Sequence, residues 1–497
     1  MPLNYTSLEQ VSGWRFLRHR LSVAVARHSV RLVHDPSRNA TASLLVGAVI
    51  STLVVGVCFV IAFFDKKGQV GQAAIVADRA SGALYVDVAG VMHPALNLAS
   101  ARLITGRADK PKMVTKAQID KLPIGPMVGI AGAPNDLAVH NPGRAQWALC
   151  DHLGAVGSKV VPKVTVLAGA TDLGDWAHTV DAPQAALMSY GGSVYLVRGG
   201  KRSQIDLADR AVTLALGLRA GGMPAAAPMS RALFEALMPT APLRVPDIPE
   251  AGGPVGYASV MVPVVSGSVL RSTDAAGQQS FFVALPAGVQ PIPATVAVML
   301  STADVSGKRE VLQVDSTLVA SLPQAVGFDV SVYPTSELTL IDKAIEPVTC
   351  VAWSKGFGEP QATIAAISGR RLPVGLDQER RVMTLVSGAA HGAADAVYLG
   401  SGAPNFIQVT GFEPDSGRSE SLWWVGDSGV RFGIETFGED DRTTRKSLGL
   451  DDVSPSPAPW SVVRWLPAGP SLSHAAAMTQ YDTVFSDAPS TPLVGPS

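Results

Sequence analysis

One stretch of the chain departs from the mixed apolar and polar pattern seen elsewhere. From Asn39 to Phe64 no charged residue occurs, and Leu, Val, Ile, Ala and Phe dominate Ser43 to Phe64. At a rise of about 1.5 Å per residue, a helix of that length spans about 33 Å, which matches a hydrocarbon core of about 30 Å. The pattern predicts one membrane crossing, with Leu44, Ile50, Val57 and Phe64 spaced along it. A cleaved leader needs an apolar run of about 7 to 15 residues and a small-residue cleavage site. Here the run is longer and Asp65-Lys66-Lys67 follows it directly, so an uncleaved anchor is expected. The uncharged stretch 275–303 is interrupted by Pro286, Pro291 and Pro293, which argues against a second crossing.

Before the anchor the spacing is helical. Ser7 and Gln10 stand at capping-box distance, and the helix is expected to break at His34-Asp35-Pro36. Val11, Trp14, Leu17 or Arg18, Leu21 and Val25 recur at helical intervals, while Arg20, Arg27 and Arg31 share another face. With Arg15, Arg18 and Arg38, residues 1–40 hold six arginines against Glu9 and Asp35. Periodicity alone leaves two readings open: a basic helix lying on anionic lipid, and a docking helix for a cytoplasmic partner presenting Trp14, Arg15, Arg18, Arg20, Arg27 and Arg31. Lys66, Lys67 and Arg79 nearly balance the nearby arginines of the tail. Long domains, however, translocate largely regardless of charge, so the arginine-rich tail is expected to stay in the cytoplasm.

Beyond the anchor the period shortens to that of strands. An apolar-aromatic strand followed by a glycine turn occurs four times: Ala83-Leu84-Tyr85-Val86 with Gly90, Val194-Tyr195-Leu196-Val197 with Gly199-Gly200, Phe281-Phe282-Val283 with Ala287-Gly288, and Leu422-Trp423-Trp424-Val425 with Ser428-Gly429. Helical patches follow the first two at Asn97 to Thr105 and Leu207 to Leu216. Uneven spacing excludes a uniform solenoid. These units are either true repeats or the hairpins that recur in any β-rich chain. Short strands expected at Val311 to Val314, Asp329 to Tyr333, Leu338 to Leu340 and Ala396 to Leu399 suggest a central β domain onto which the units pack. The stretch from Ala468 to Ser497 is Pro- and Ser-rich and is expected to be extended or disordered.

Composition supports this picture. With 497 residues, 16% of them charged, and 48 Gly with 36 Pro, the chain suits a turn-rich β protein large enough to bury a core. The net charge of −1 combines a basic tail with an acidic remainder, which argues against nucleic-acid binding by the main body. Cys58 lies in the anchor, leaving Cys150 and Cys350. In an oxidising compartment these two are expected to pair, with two independent buried thiols as the alternative.

Candidate chemistry is sparse. Gly200-Lys201 and Gly307-Lys308 lack the preceding glycine of a P-loop, since Tyr195 and Thr302 occupy that position, and Arg follows each lysine. Gly426-Asp427-Ser428-Gly429 resembles a protease nucleophile segment, but it falls where a hairpin turn is expected. Cys150-Asp151-His152 with upstream His140 lacks the companion spacing of a zinc site. No cofactor, metal or catalytic set is expected.

Several runs carry a resemblance. Gln10 to Leu17 reads QVSGWRFL, Asp35-Pro36-Ser37-Arg38 precedes the anchor, and Gly82 to Gly106 reads GALYVDVAGVMHPALNLASARLITG. With GPMVGIAGAPN at Gly125 to Asn135, WALCD at Trp147 to Asp151 and LWWVGDSGVRF at Leu422 to Phe432, the chain strongly resembles EccB. EccB is a membrane component of the type VII (ESX) secretion system of mycobacteria and related actinobacteria. The resemblance implies a cytoplasmic N-terminal helix, one transmembrane helix, and a periplasmic domain with four repeats around a central β domain. It also implies self-association and assembly with EccC, the motor ATPase, with EccD and EccE, and with the mycosin protease.

The expected fold is therefore α+β with a mostly β exterior. Its divisions are a basic helix (1–40), a transmembrane helix (41–66), repeat 1 (67–120), part of the central domain (121–190), repeat 2 (191–245), repeat 3 (246–300), the central β domain (301–418), repeat 4 (419–467) and the tail (468–497). A structural subunit of the secretion complex is the leading expectation. The alternatives are an ATP-hydrolysing subunit, a label such proteins sometimes carry, and a cell-wall binding protein using Tyr85, Tyr195, Phe282 and Trp424.

Overall fold

The computed structural model describes residues 7–28, 36–64, 71–219, 223–257, 264–304, 307, 310–386, 388, 392–435 and 441–483. They divide into two units, Met1–Gln69 and Val70–Ser497.

In the first unit, Ser7 caps the helix Leu8–Arg27 through the reciprocal bonds of a capping box. Its Oγ accepts from the Gln10 N–H at 3.3 Å, and its own N–H donates to Gln10 Oε1 at 3.2 Å. The helix ends at His28, which is left-handed at φ 53°. None of its residues is buried, and Trp14 is 60% exposed with the Arg18 guanidinium 5.2 Å from its ring centre. Arg31 lies outside the described residues. A second helix, Pro36–Phe64, starts with a proline whose missing N–H removes none of the helix's bonds. It therefore begins before the division drawn at 40/41. Ala42–Val60 is long and apolar enough to cross a membrane, and Leu44, Ile50, Val57 and Cys58 on it are all exposed.

The second unit contains five sheets among its described residues. The central one has seven strands, in the order Met383–Thr384, Ala396–Leu399, Lys159–Ala168, Arg144–Val156, Val348–Gly356, Thr363–Gly369 and Ala177–Thr179. All neighbours are antiparallel except the pair Ala396–Leu399 and Lys159–Ala168. Successive side chains leave opposite faces of a strand, and the burial follows that alternation. Trp147, Leu149, Val351 and Trp353 enter one core, while Ala148, Cys150, Cys350 and Ile367 enter another.

The other four sheets share one connectivity. Each is a three-stranded antiparallel meander, then a helix, then a short strand parallel to the first strand of the meander. Sheet I uses Ile75–Asp78, Leu84–Val88 and Val91–Ala95, helix Leu98–Thr105 and strand Lys112–Val114. Sheet II uses Gln184–Tyr190, Ser193–Arg198 and Lys201–Ile205, helix Arg210–Ala215 and strand Ala227–Pro228. Sheet III uses Val269–Thr273, Gln279–Leu285 and Gly288–Ile292, helix Ala294–Ala303 and strand Leu312–Val314. Sheet IV uses Phe406–Thr410, Leu422–Val425 and Arg431–Ile434, helix Asp441–Leu448 and strand Ser456–Pro459. Sheets II and III share a core that includes Leu187, Leu196, Val283 and Val296. Leu103 of sheet I and Trp424 and Phe432 of sheet IV enter another.

Several expected boundaries are corrected. The aromatic strand is the middle strand of each meander, pairing antiparallel with a strand before it and a strand after it. Cuts at 190/191 and 418/419 therefore separate Gln184–Tyr190 and Phe406–Thr410 from their own sheets. The cut at 300/301 passes through the helix Ala294–Ala303, and Leu312–Val314 pairs with sheet III instead of the central sheet. Asp329 to Tyr333 is a turn, not a strand; Asp329 Oδ1 accepts from the Ser331 N–H at 2.8 Å and bends the backbone locally. The C-terminal stretch is built into the fold as far as residue 483. Leu472 and Ala477 are fully buried, and Gln480–Tyr481 pairs with Met127–Val128 of sheet I. Apolar burial there outweighs the polar composition. Residues 484–497 lie outside the described set.

Cys150 stands directly opposite Cys350 across two central strands, and the two are joined by a disulfide over a sequence separation of 200. Loop-closure entropy for such a separation reaches roughly 5 kcal/mol as an upper bound. Reduction, or a Cys150→Ala/Cys350→Ala pair, is expected to lower the stability by a few kcal/mol. Urea unfolding of oxidised and reduced protein checks this, and coincident midpoints would contradict it.

Candidate functional site

The polar groups that the second unit buries sit where its elements join. The strand Arg144–Val156 turns Asp151 toward the core opposite to that of Cys150, where its side chain is fully buried. Its two oxygens accept from the Ser230 N–H and the Ser230 hydroxyl, each at 2.6 Å. Ser230 in turn caps the helix Arg231–Ala236 by accepting from the Leu233 N–H at 3.0 Å. Ala232, Leu233 and Ala236 of that helix pack against the central sheet, so Asp151 fastens sheet II to it. Burial pushes the Asp151 carboxyl up to about 7. The Ser230 bonds oppose the shift, and the charge of Asp395 adds to it.

A second joint lies at the far edge. Lys343 is 5% exposed; its ammonium donates to the Val348 carbonyl at 2.6 Å and to Ser368 Oγ at 2.9 Å. The Ser368 hydroxyl donates to Glu346 Oε2 at 2.7 Å, and His178 Nε2 stands 3.1 Å from the same oxygen. Burial lowers the Lys343 pKa to about 8, with Glu346 opposing. A serine bonded to a lysine is a nucleophile arrangement in principle, but Ser368 is fully buried and no substrate reaches it. Sequence reasoning singled out neither Lys343 nor Ser368. A lysine three residues before a glutamate in a loop is too common to signal burial.

The motifs singled out from sequence are not gathered into one site. Gly426 to Gly429 forms the hairpin turn of sheet IV; the Gly429 N–H donates to the Gly426 carbonyl at 2.8 Å, and Gly429 is left-handed at φ 77°. Ser428 is exposed there and shares a cleft of about 310 Å³ with His140, but no hydrogen bond joins the two among the described residues. Gly199 and Gly200 form a tight turn, and Lys201 opens a strand where a phosphate loop requires a helix. Lys308 lies outside the described residues. Cys150 is committed to the disulfide, and no group of metal-holding side chains occurs among the described residues. Of the aromatic residues considered for glycan contact, Trp424 and Tyr85 are buried at 2% and 9% exposure. The adjacent Trp423 instead packs on Trp460 with ring centres 5.7 Å apart, and Arg431 lies 4.5 Å and 4.9 Å from the two rings.

These features define a class first: a protein with one candidate membrane helix among its described residues and a β-rich second unit, fastened by a disulfide and buried polar joints. The family described as "Type VII secretion system ESX-1, transport TM domain B" matches residues 3–486. Among its relatives, ESX-5 secretion system ATPase EccB5 of Mycobacterium tuberculosis is 38% identical, covering 99% of this chain and 97% of that protein. ESX-2 secretion system ATPase EccB2 of the same species is 41% identical, covering 97% of each. The chain is also similar to one in an intact ESX-5 inner membrane complex, with TM-score 0.77, 37% identity and 99% of both chains covered. A structure of the EccB3 dimer from the ESX-3 core complex gives TM-score 0.72 at 36% identity, covering 82% of this chain and 100% of that one. The chain belongs to the EccB family, the core membrane subunits of the type VII secretion system.

The Asp151 joint has a pH signature. Its carboxyl rises from 3.8 to about 7 on folding, so between those values the native state holds a proton that the unfolded chain has lost. This contribution to stability is full below about pH 4, declines as pH rises to 7 and is absent above, with a size on the order of a few kcal/mol. Asp151→Asn is expected to flatten that slope. Urea midpoints at pH 5 and pH 8 test it, and an unchanged slope would assign the pH dependence to other groups.

Proposed function

We propose that the protein is a structural core subunit of a type VII secretion inner-membrane complex. Its anchor joins a cytoplasmic basic helix to a periplasmic assembly unit that associates with further copies of itself. The near-complete match to a chain of an intact ESX-5 inner membrane complex carries this reading. The disulfide supports the orientation, because such bonds persist in oxidising compartments and are rare in the cytosol. The exposed apolar and arginine-bearing helix Leu8–Arg27 would then face cytoplasmic partners or anionic lipid. EccC, EccD, EccE and the mycosin protease are the proposed partners.

We also propose that sheets I to IV are four repeats of one unit arranged about the central sheet. Their shared connectivity supports this, as does a further detail. In each, the third strand of the meander gains a parallel bridge after the return strand, at Met92 and Ile124, Ile205 and Leu243, Val289 and Gln324, and Arg431 and Ala468. Hairpins recurring by chance would not repeat that closure. The relatives' names favour a second reading, ATP hydrolysis, for which this sequence supplies no P-loop lysine.

Purification of the tagged chain from membranes in mild detergent is expected to recover it with membrane partners. In protease treatment of spheroplasts the outer unit should be cleaved and the basic helix protected. Recovery of the chain alone, or the reverse protection, would refute the structural reading or the orientation respectively. ATP turnover by the purified protein, abolished by one substitution, would favour the second reading.

A further inference from the structure

A cleft of about 320 Å³ lies between the turn of sheet II and the loop that leads to Thr339–Leu340. Arg198, the last residue of a sheet II strand, lines it. The guanidinium donates through Nη2 to the Val332 carbonyl at 2.7 Å, which fixes its plane. Its Nε–H is buried and finds no acceptor among the described residues. Desolvation lowers the Arg198 pKa, and no carboxylate acts to restore it. A buried charged donor left unpaired costs more than the same group paired, so the site is incomplete as it stands. Across the cleft, Ser331, Thr335 and Ser336 supply hydroxyl-bearing side chains, while Pro183, Pro334 and Leu338 supply apolar walls.

We propose that this cleft binds the carboxylate of a short peptide segment, anchored by Arg198. The guanidinium lining the cleft is planar and matches a carboxylate in shape as well as charge. Asp181 also lines the cleft, where its Oδ2 accepts from the Thr179 hydroxyl at 2.5 Å. That second charge repels a doubly charged phosphate more strongly than a monoanion. The volume is at the small end of ligand sites, about 300 to 1,000 Å³, and suits two or three residues with small apolar side chains. The carboxylate comes from a chain terminus or from an acidic side chain.

The test titrates three probes into the full-length protein in detergent and reads binding by saturation-transfer NMR: N-acetyl-Ala-Ala as the free acid, the same compound as its C-terminal amide, and N-acetyl-Asp amide. At least one acid is expected to bind tenfold or more tighter than the neutral amide. Arg198→Gln should remove that preference and Arg198→Lys should keep part of it. Preference for the dipeptide acid assigns a chain terminus, and preference for the aspartate probe assigns a side chain. Equal binding of acids and amide, binding by none of the three, or full affinity in Arg198→Gln overturns the proposal. If Arg198→Gln does not fold, the acid-to-amide comparison on the unaltered protein decides.

Discussion

Strands Arg144–Val156 and Val348–Gly356 meet at the middle of the central sheet although about two hundred residues separate them in the chain. Their register places Trp147 opposite Trp353 and Cys150 opposite Cys350. A slip of one residue would exchange every inward and outward side chain, moving the indoles out of one core and the sulfurs out of the other. The disulfide makes that register covalent. Sheets II and III lie entirely within the loop it closes, so their attachment to the central sheet starts from this one pairing.

The buried polar joints complete what the register begins. Asp151 is the residue after Cys150 and therefore points to the other face, where it meets the cap of the helix following sheet II. Lys343, Ser368 and Glu346 do the same at the opposite edge, tying the entry to Val348–Gly356 to the neighbouring strand. Apolar packing alone leaves small sheets free to slide. Hydrogen-bonded polar groups in a low-dielectric interior do not tolerate that, because a displaced partner leaves a buried donor or acceptor unsatisfied.

Local signals were legible in the sequence where one physical effect dominated. The uncharged run over Ser43 to Phe64 and the Ser7–Gln10 cap each announce their element, and the glycine turns at Gly90, Gly200 and Gly429 mark the second hairpin of their meanders. Strands whose reason for being is tertiary were not legible. Gln184–Tyr190 carries little alternation because both its faces are largely covered, and Gln480–Tyr481 is a strand only because Met127–Val128 awaits a neighbour. The joints failed to show for the same reason: nothing near Lys343 or Arg198 in sequence reveals that the fold withdraws them from water.

The pairing of Gln480–Tyr481 with Met127–Val128 joins residues near the end of the described chain to the first sheet beyond the anchor. Synthesis proceeds from the N-terminus, so sheet I emerges hundreds of residues before the strand that covers its edge. An unpaired edge invites the wrong partner, and contacts this distant in sequence form slowly. The first sheet to appear is thus among the last to be completed, and folding of the second unit cannot finish as a simple progression along the chain.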